Sequence, residues 1–192
     1  MAYATYTTDA LVCGMWKRNT ADGSFLLLTR EAGMLYADAR SVREERSKQR
    51  YALQDFSAVR VSLVKGKRGW KVGSVEPHRN YFLDATSKEA RGSVVTLLRF
   101  VRRFLGSEEA VPELYDYLTA ALTLLSKDIP ERNFLERVVQ TRLLFFLGYV
   151  DEKKAPPFIY GNDLSDLVKD ASEASATELE KLIDKAISTS HL

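Results

Sequence analysis

The sequence predicts an α+β protein, with strands first and helices after. Apolar residues run in short blocks or alternate up to about residue 84, then recur at helical spacing. Turn signals such as Asp22-Gly23 and Gly66 to Gly69 separate the short blocks of the first part. Charge divides at the same place. Residues 1–84 hold 14 Lys and Arg against 9 Asp and Glu, a net +5, whereas residues 85–192 hold 14 against 17, a net −3. These shifts predict two units, 1–84 and 85–192, with different partners.

Ala10 to Trp16 is an apolar block closed by Lys17-Arg18-Asn19-Thr20 and Asp22-Gly23, and reads as a first strand. Phe25 to Thr29 is a second, too short for a helix between two turns. Gly33 closes a turn, and Met34 to Ala39 is a third. Val59, Val61 and Leu63 alternate with Arg60 and Ser62, the period of a strand buried on one face. Lys65-Gly66-Lys67-Arg68-Gly69 reads as a hairpin loop, with a return strand over Trp70 to Val75 and a bulge at Gly73. Five short strands in so few residues avoid exposed edges by closing. A five-stranded OB-type barrel is the expected solution, with an SH3-like barrel as its competitor.

Helical signals begin at Thr86-x-x-Glu89, which has the spacing of a capping box. Ala90, Val94, Leu97, Leu98, Val101 and Leu105 follow on one stripe, with Gly106 as the expected stop. Pro112 suits a helix start, and Leu114, Tyr117, Leu118, Ala121, Leu122 and Leu125 carry the next stripe. Phe134 to Phe146, ended by Gly148, predicts a third helix. Thr177-x-x-Glu180 predicts the cap of a last one carrying Leu179, Leu182, Ile183 and Ile187. The apolar stripes predict an α-helical bundle, and Asp151 to Asn162, with Pro156-Pro157 and Gly161, a loop.

The residue inventory argues against an enzyme. Phosphate-binding glycine loops and a Gly-x-Ser-x-Gly elbow are missing from the sequence. There is one cysteine, Cys13, expected as a small buried side chain, and two histidines, His78 and His191. That inventory cannot supply a thiolate zinc site, so no metal and no cofactor are expected. His78, beside Pro77 and Arg79 at the barrel exit, suits a surface or phosphate contact better than a base. No apolar run has the roughly 20 residues of a membrane span, and the first nine residues lack the pattern of a signal peptide. The expectation is a cytoplasmic protein that binds no membrane.

Binding chemistry remains. Arg40 to Lys71 holds 10 basic and 3 acidic residues, a local +7. In an OB barrel, nucleic acid crosses strands 2 and 3, flanked by loops 1–2 and 4–5. The first loop offers Lys17 and Arg18. The connection after strand 3 offers Arg40, Arg43, Arg46, Lys48 and Arg50. The loop between strands 4 and 5 offers Lys65, Lys67, Arg68 and the adjoining Lys71. Brought to one barrel, these cations would cradle phosphates. Trp16, Tyr36, Tyr51 and Trp70 lie in or beside the same segments. Of these, Trp70 joins the candidate nucleic-acid-binding set, although aromatics on small barrels are more often core.

Four stretches, in order, carry a family resemblance. They are Thr8-Asp9-Ala10-Leu11-Val12 with Asp22 to Gly33, which holds Leu27-Leu28-Thr29-Arg30-Glu31; Ala39-Arg40 with Arg46 to Phe56; Arg142-Leu143-Leu144-Phe145-Phe146-Leu147-Gly148-Tyr149; and, weakly, Lys185 to Leu192. They resemble the RecO family of bacterial recombination-repair mediators, with Asp55 where the family usually has Pro. The resemblance implies an N-terminal OB domain and a helical C-terminal domain. It implies binding of single- and double-stranded DNA, strand annealing and help in loading the RecA recombinase. It also implies two protein partners, RecR and the acidic C-terminal tail of single-strand-binding protein. Many members carry a four-cysteine zinc module after the Leu-Gly-Tyr helix. Here Asp151 to Asn162 is short and cysteine-free, so the chain is read as a short member without it. For the acidic tail, Arg99, Arg102 and Arg103 share a helix face, which competes with the reading of a plain solvated face. Two other readings stay open: a RecO-like adaptor without strong DNA binding, and an RNA-binding OB protein.

Overall fold

The computed structural model describes residues 5–106, 108–151, 153, 156, 159 and 173–190. They form two compact units. One is Met1–Asp84 with Gly106–Tyr115, the other Ala85–Leu105 with Asp116–Leu192.

The first unit is a closed five-stranded barrel. Strands β1 (Thr5–Lys17), β2 (Gly23–Thr29), β3 (Gly33–Ala39), β4 (Ser57–Gly66) and β5 (Gly69–Asn80) follow the order β1-β2-β3-β5-β4, and β4 returns to β1. All pairings are antiparallel except the closing one, where β3 runs parallel to β5. This is the expected OB-type barrel. Val12, Phe25, Leu27, Leu35, Val59 and Leu63 fill its interior at 2% exposure or less. Leu11, Cys13, Leu26, Leu28 and Met34 are buried too, which explains why β1 and β2 read as continuous apolar blocks.

Three strands run well beyond their expected bounds. β1 starts at Thr5, because Thr5–Asp9 pair with Val64–Arg60, and their polar outward face hid the strand. β4 extends from Ser57 to Gly66. β5 continues through Pro77 to Asn80; Pro77 opposes Val59 beside a register shift, a position where a missing N–H is tolerated. His78 is therefore a strand residue, not an exit residue, and its Nε2 lies 3.4 Å from Asp9 Oδ1. The bulge expected at Gly73 is present, opposite the Val61/Leu63 register shift. The β4–β5 turn is tighter than expected: Gly66 pairs with Gly69, leaving Lys67 and Arg68 at the tip. Two short helices, α1 (Gln49–Ala52) and α2 (Tyr81–Asp84), went unread because one turn carries no periodicity.

Helices α3 (Lys88–Phe104), α4 (Pro112–Leu125), α5 (Arg132–Phe146) and α6 (Glu173–Thr189) follow. α5 packs on both α3 and α6. The cap of α3 is Ser87, not Thr86. Thr86 N–H already donates to Ser126 O at 3.0 Å, and Ser87 Oγ accepts from Ala90 N at 3.1 Å. Bonds from its own backbone N–H and to Ser87 hold the Glu89 carboxyl below the usual range. Gly106 is not a left-handed stop, since Leu105 ends α3 in extended conformation. α6 begins at Glu173, so Thr177 is interior rather than a cap. Gly148 does end α5. At φ +76° it donates to Phe145 O, and Tyr149 N donates to Leu144 O, the paired bonds of a Schellman motif. Arg132 donates to Leu125 O at 2.6 Å and to Ser93 Oγ at 3.0 Å, so its guanidinium satisfies a carbonyl at the end of α4 while bonding α3. Most of the loop expected over Asp151 to Asn162, and the last two residues, lie outside the described residues.

Two glycines with similar φ test the packing. A Cβ on Gly33 (φ +66°) would lie 2.3 Å from Glu109 O, whereas one on Gly148 (φ +76°) meets nothing within 4 Å. Gly148→Ala is expected to cost about 1 kcal/mol, from backbone strain alone. Gly33→Ala should cost on the order of 3 kcal/mol, because a backbone segment must also move. Urea unfolding of both variants checks the order; equal losses would contradict it.

Candidate nucleic-acid interface

Strand alternation decides where the cations go. Met15 pairs with Phe25 and Lys17 with Gly23, so Met15 and Lys17 share the inward side with a core residue. Trp16 and Arg18 therefore point outward. On β3, Tyr36 and Asp38 share the outward parity, since Leu35 and Ala37 belong to the core. The barrel closes where Ala37 meets Trp70 and Asp38 meets Lys71. That seam brings the β1–β2 loop, the exit of β3 and the β4–β5 hairpin to one place.

The result is a groove of about 840 Å³ lined by Arg18, Arg40, Lys67, Arg68 and Lys71, with Asp22 and Asp38 among them. Five of the predicted cations thus converge on the outer face. Arg18 Nη1 is ion-paired to Asp38 Oδ2. Asp22 is structural: Oδ1 accepts from Ser41 N at 2.9 Å, and Oδ2 from Asn19 Nδ2 at 2.8 Å. These bonds tie the β1–β2 loop to the exit of β3. Gln49 Nε2 donates to Gly73 O at 2.9 Å, tying α1 to β5.

Lys17, Arg43 and Arg50 line a second cleft, of about 450 Å³, on the other side of the β1–β2 loop. Arg43 is fixed there by backbone bonds, its N–H donating to Ala21 O at 2.9 Å and its Nη1 to Asn19 O. Arg46 and Lys48 are exposed and line neither cleft. Lys65 is turned to Glu108, 3.7 Å away, and sits 4.7 Å from the Trp70 ring centroid. The three arginines of α3, Arg99, Arg102 and Arg103, are all exposed, opposite buried Val94, Leu97, Leu98 and Val101.

The aromatics sort differently from the sequence expectation. Trp70 is half-buried against the barrel core beneath Lys65, so its ring is largely covered. Trp16 and Tyr36 are 41% and 60% exposed and lie together, ring centroids 5.6 Å apart at 56°. Each stands two residues, about 7 Å, along its strand from Arg18 or Asp38 on the same face. Tyr51, on α1, is 68% exposed. The signal that separates Trp16 from Trp70 is parity: Trp16 follows Met15 and precedes Lys17, both on the inward side.

Fold and groove together define a class: an OB-type barrel, followed by helices, with cations gathered at its β1–β2 and β4–β5 loops beside exposed rings. Comparisons narrow it. Residues 90–150, from α3 to just past α5, match the family model described as "Recombination protein O C terminal". The chain is also 27% identical over 147 residues to the "DNA repair protein RecO" of Desulfitobacterium hafniense strain DCB-2, and equally to that of strain Y51. Each match covers 75% of this chain and 52% of the relative, so the chain spans about half the length of the curated relatives it matches. The matches support assignment to the RecO superfamily.

The hydrogen bonds to Ser41 and Asn19 lead, with weaker pulls from Arg40 and Arg18, in holding the Asp22 carboxyl below its ordinary 3.8. A carboxyl depressed in the fold stabilises above its unfolded value and loses that contribution as pH falls through the folded one. The β1–β2 loop should therefore keep its tie at neutral pH and release it only in acid. A carboxyl titration by NMR should place the Asp22 midpoint below 3.8; a midpoint at or above that value would contradict the tie.

Proposed function

We propose that this chain is a non-catalytic, RecO-like nucleic-acid-binding protein whose barrel unit holds a single strand along the outer groove. The observation that carries the reading is the exposed Trp16–Tyr36 pair on the same outward face as Arg18 and the Lys67–Arg68–Lys71 cluster. Rings stack bases of any sequence, and cations neutralise phosphates, so binding is tolerant of sequence and sensitive to salt. DNA is the favoured polymer, because the curated relatives are named DNA repair proteins. Within the same proposal, both single- and double-stranded DNA are ligands. Screening phosphates of two strands promotes annealing and assists loading of a recombinase. The barrel (1–84) and the helices (85–192) act as separate domains. The helical one takes the protein partners, a RecR-like protein and the acidic tail of single-strand-binding protein, the tail meeting Arg99, Arg102 and Arg103.

Fluorescence anisotropy with a labelled oligothymidylate tests the interface. Trp16→Ala and Tyr36→Ala should each weaken binding about tenfold and leave the salt slope unchanged, because stacking is not ionic. Lys67→Gln and Lys71→Gln should each lower the magnitude of the log–log salt slope by about 1. Wild-type affinity in all four variants would refute this face as the interface. Tighter binding to oligouridylate than to oligothymidylate would point to RNA.

A further inference from the structure

The cleft on the inward side of the β1–β2 loop differs in kind from the outer groove. Its floor is the end of the barrel core: Phe25, Val42 and Leu53 are exposed by 3% or less and belong to the interior cluster. Met15, 43% exposed, also lines it. Lys17, Arg43 and Arg50 supply cations, and Gln54 and Asp55 supply polar groups. An apolar floor beneath three cations fits a flat, weakly polar group that carries an anion. Its volume, about 450 Å³, is about half that of the outer groove and is enough for a single small group.

The neighbouring groove indicates what that group is. Lys17 and Arg18 are consecutive and alternate to opposite sides of β1, so one strand end serves both places. Arg43 is bonded to Asn19 and Ala21, which couples the cleft to the loop that carries Arg18. We infer that the barrel mouth is a pocket for one unstacked nucleotide, its base against the exposed Met15 side chain, above buried Phe25 and Leu53, and its phosphate on Lys17, Arg43 and Arg50. The inference rests on the nucleic-acid reading above and adds a second, discrete subsite to it. A strand passing along the outer face turns one base into the mouth, where Gln54 and Asp55 can meet its edge.

Photocrosslinking of the full chain to a 5-iododeoxyuridine oligonucleotide, mapped by peptide mass spectrometry, tests this. Adducts are expected at Met15 as well as at Trp16 or Tyr36. Lys17→Glu with Arg50→Glu, both exposed positions, should abolish the Met15 adduct, keep the others and weaken binding about tenfold. Gln54→Trp, which plugs the mouth without altering charge, should also abolish the Met15 adduct. Adducts at Trp16 and Tyr36 with none at Met15 would overturn the pocket and leave the outer interface standing. Absence of binding and of all adducts would overturn both. An Asp-rich peptide ending in a bulky apolar residue that is excluded by Gln54→Trp, while the oligonucleotide still binds fully, would make the mouth a peptide site and overturn the nucleotide assignment.

Discussion

Closure of the barrel by β3 and β5 is the constraint on which the proposed interface depends. The registered pairs are few, Ala37 with Trp70 and Asp38 with Lys71, and they are parallel, the weaker ladder per residue. Without them β3 and β5 would be opposite edges of an open sheet, and Lys67, Arg68 and Lys71 on the β5 side would not meet Arg18 and Arg40. Side chains reinforce the region. Trp70 packs on the core beside the seam, and Gln49 ties α1 to Gly73. Asp22 ties the β1–β2 loop to Ser41, just past β3. Trp70 thus supports the architecture that presents the cations, while Trp16 and Tyr36 offer the rings.

In the helical unit, the stretch Arg142 to Tyr149 does two structural jobs. Its end is the Schellman turn at Gly148. Its start places the Arg142 guanidinium 4.6 Å from the Tyr117 ring centroid and 5.8 Å from that of Phe146. Burial pushes the Tyr117 hydroxyl well above its ordinary titration range, with Arg142 opposing the shift, so it stays neutral. The arginine joins α5 to α4 as a cation over rings. This packing lies within the region that matches the recombination protein O model.

Much of this was legible in the sequence, for reasons that also explain the rest. Five strands and four helices follow from period and turn chemistry. The polar start of β1 was lost because Thr5, Thr7 and Asp9 do not contrast with loop residues. The caps of α3 and α6 were misplaced because local spacing cannot reveal that Thr86 is bonded to Ser126, forty positions away. The cations were legible as a set, but their partition was not. Lys17 and Arg18 separate only once the inward parity of Met15 is known. The pairings of Arg18 with Asp38 and of Lys65 with Glu108 join residues brought close only by the fold. Trp70 and Trp16 look alike in sequence and differ in burial.

The central claim is that the outer face at the β3–β5 closure is where nucleic acid lies. Its most direct test is an amide and indole NMR map of the full chain titrated with oligothymidylate at low salt. The account predicts shifts confined mainly to the Trp16 indole, the β1–β2 loop, Tyr36 to Arg40 and the Lys67–Lys71 hairpin. Shifts centred on α3 to α6, with that face unmoved, would contradict it.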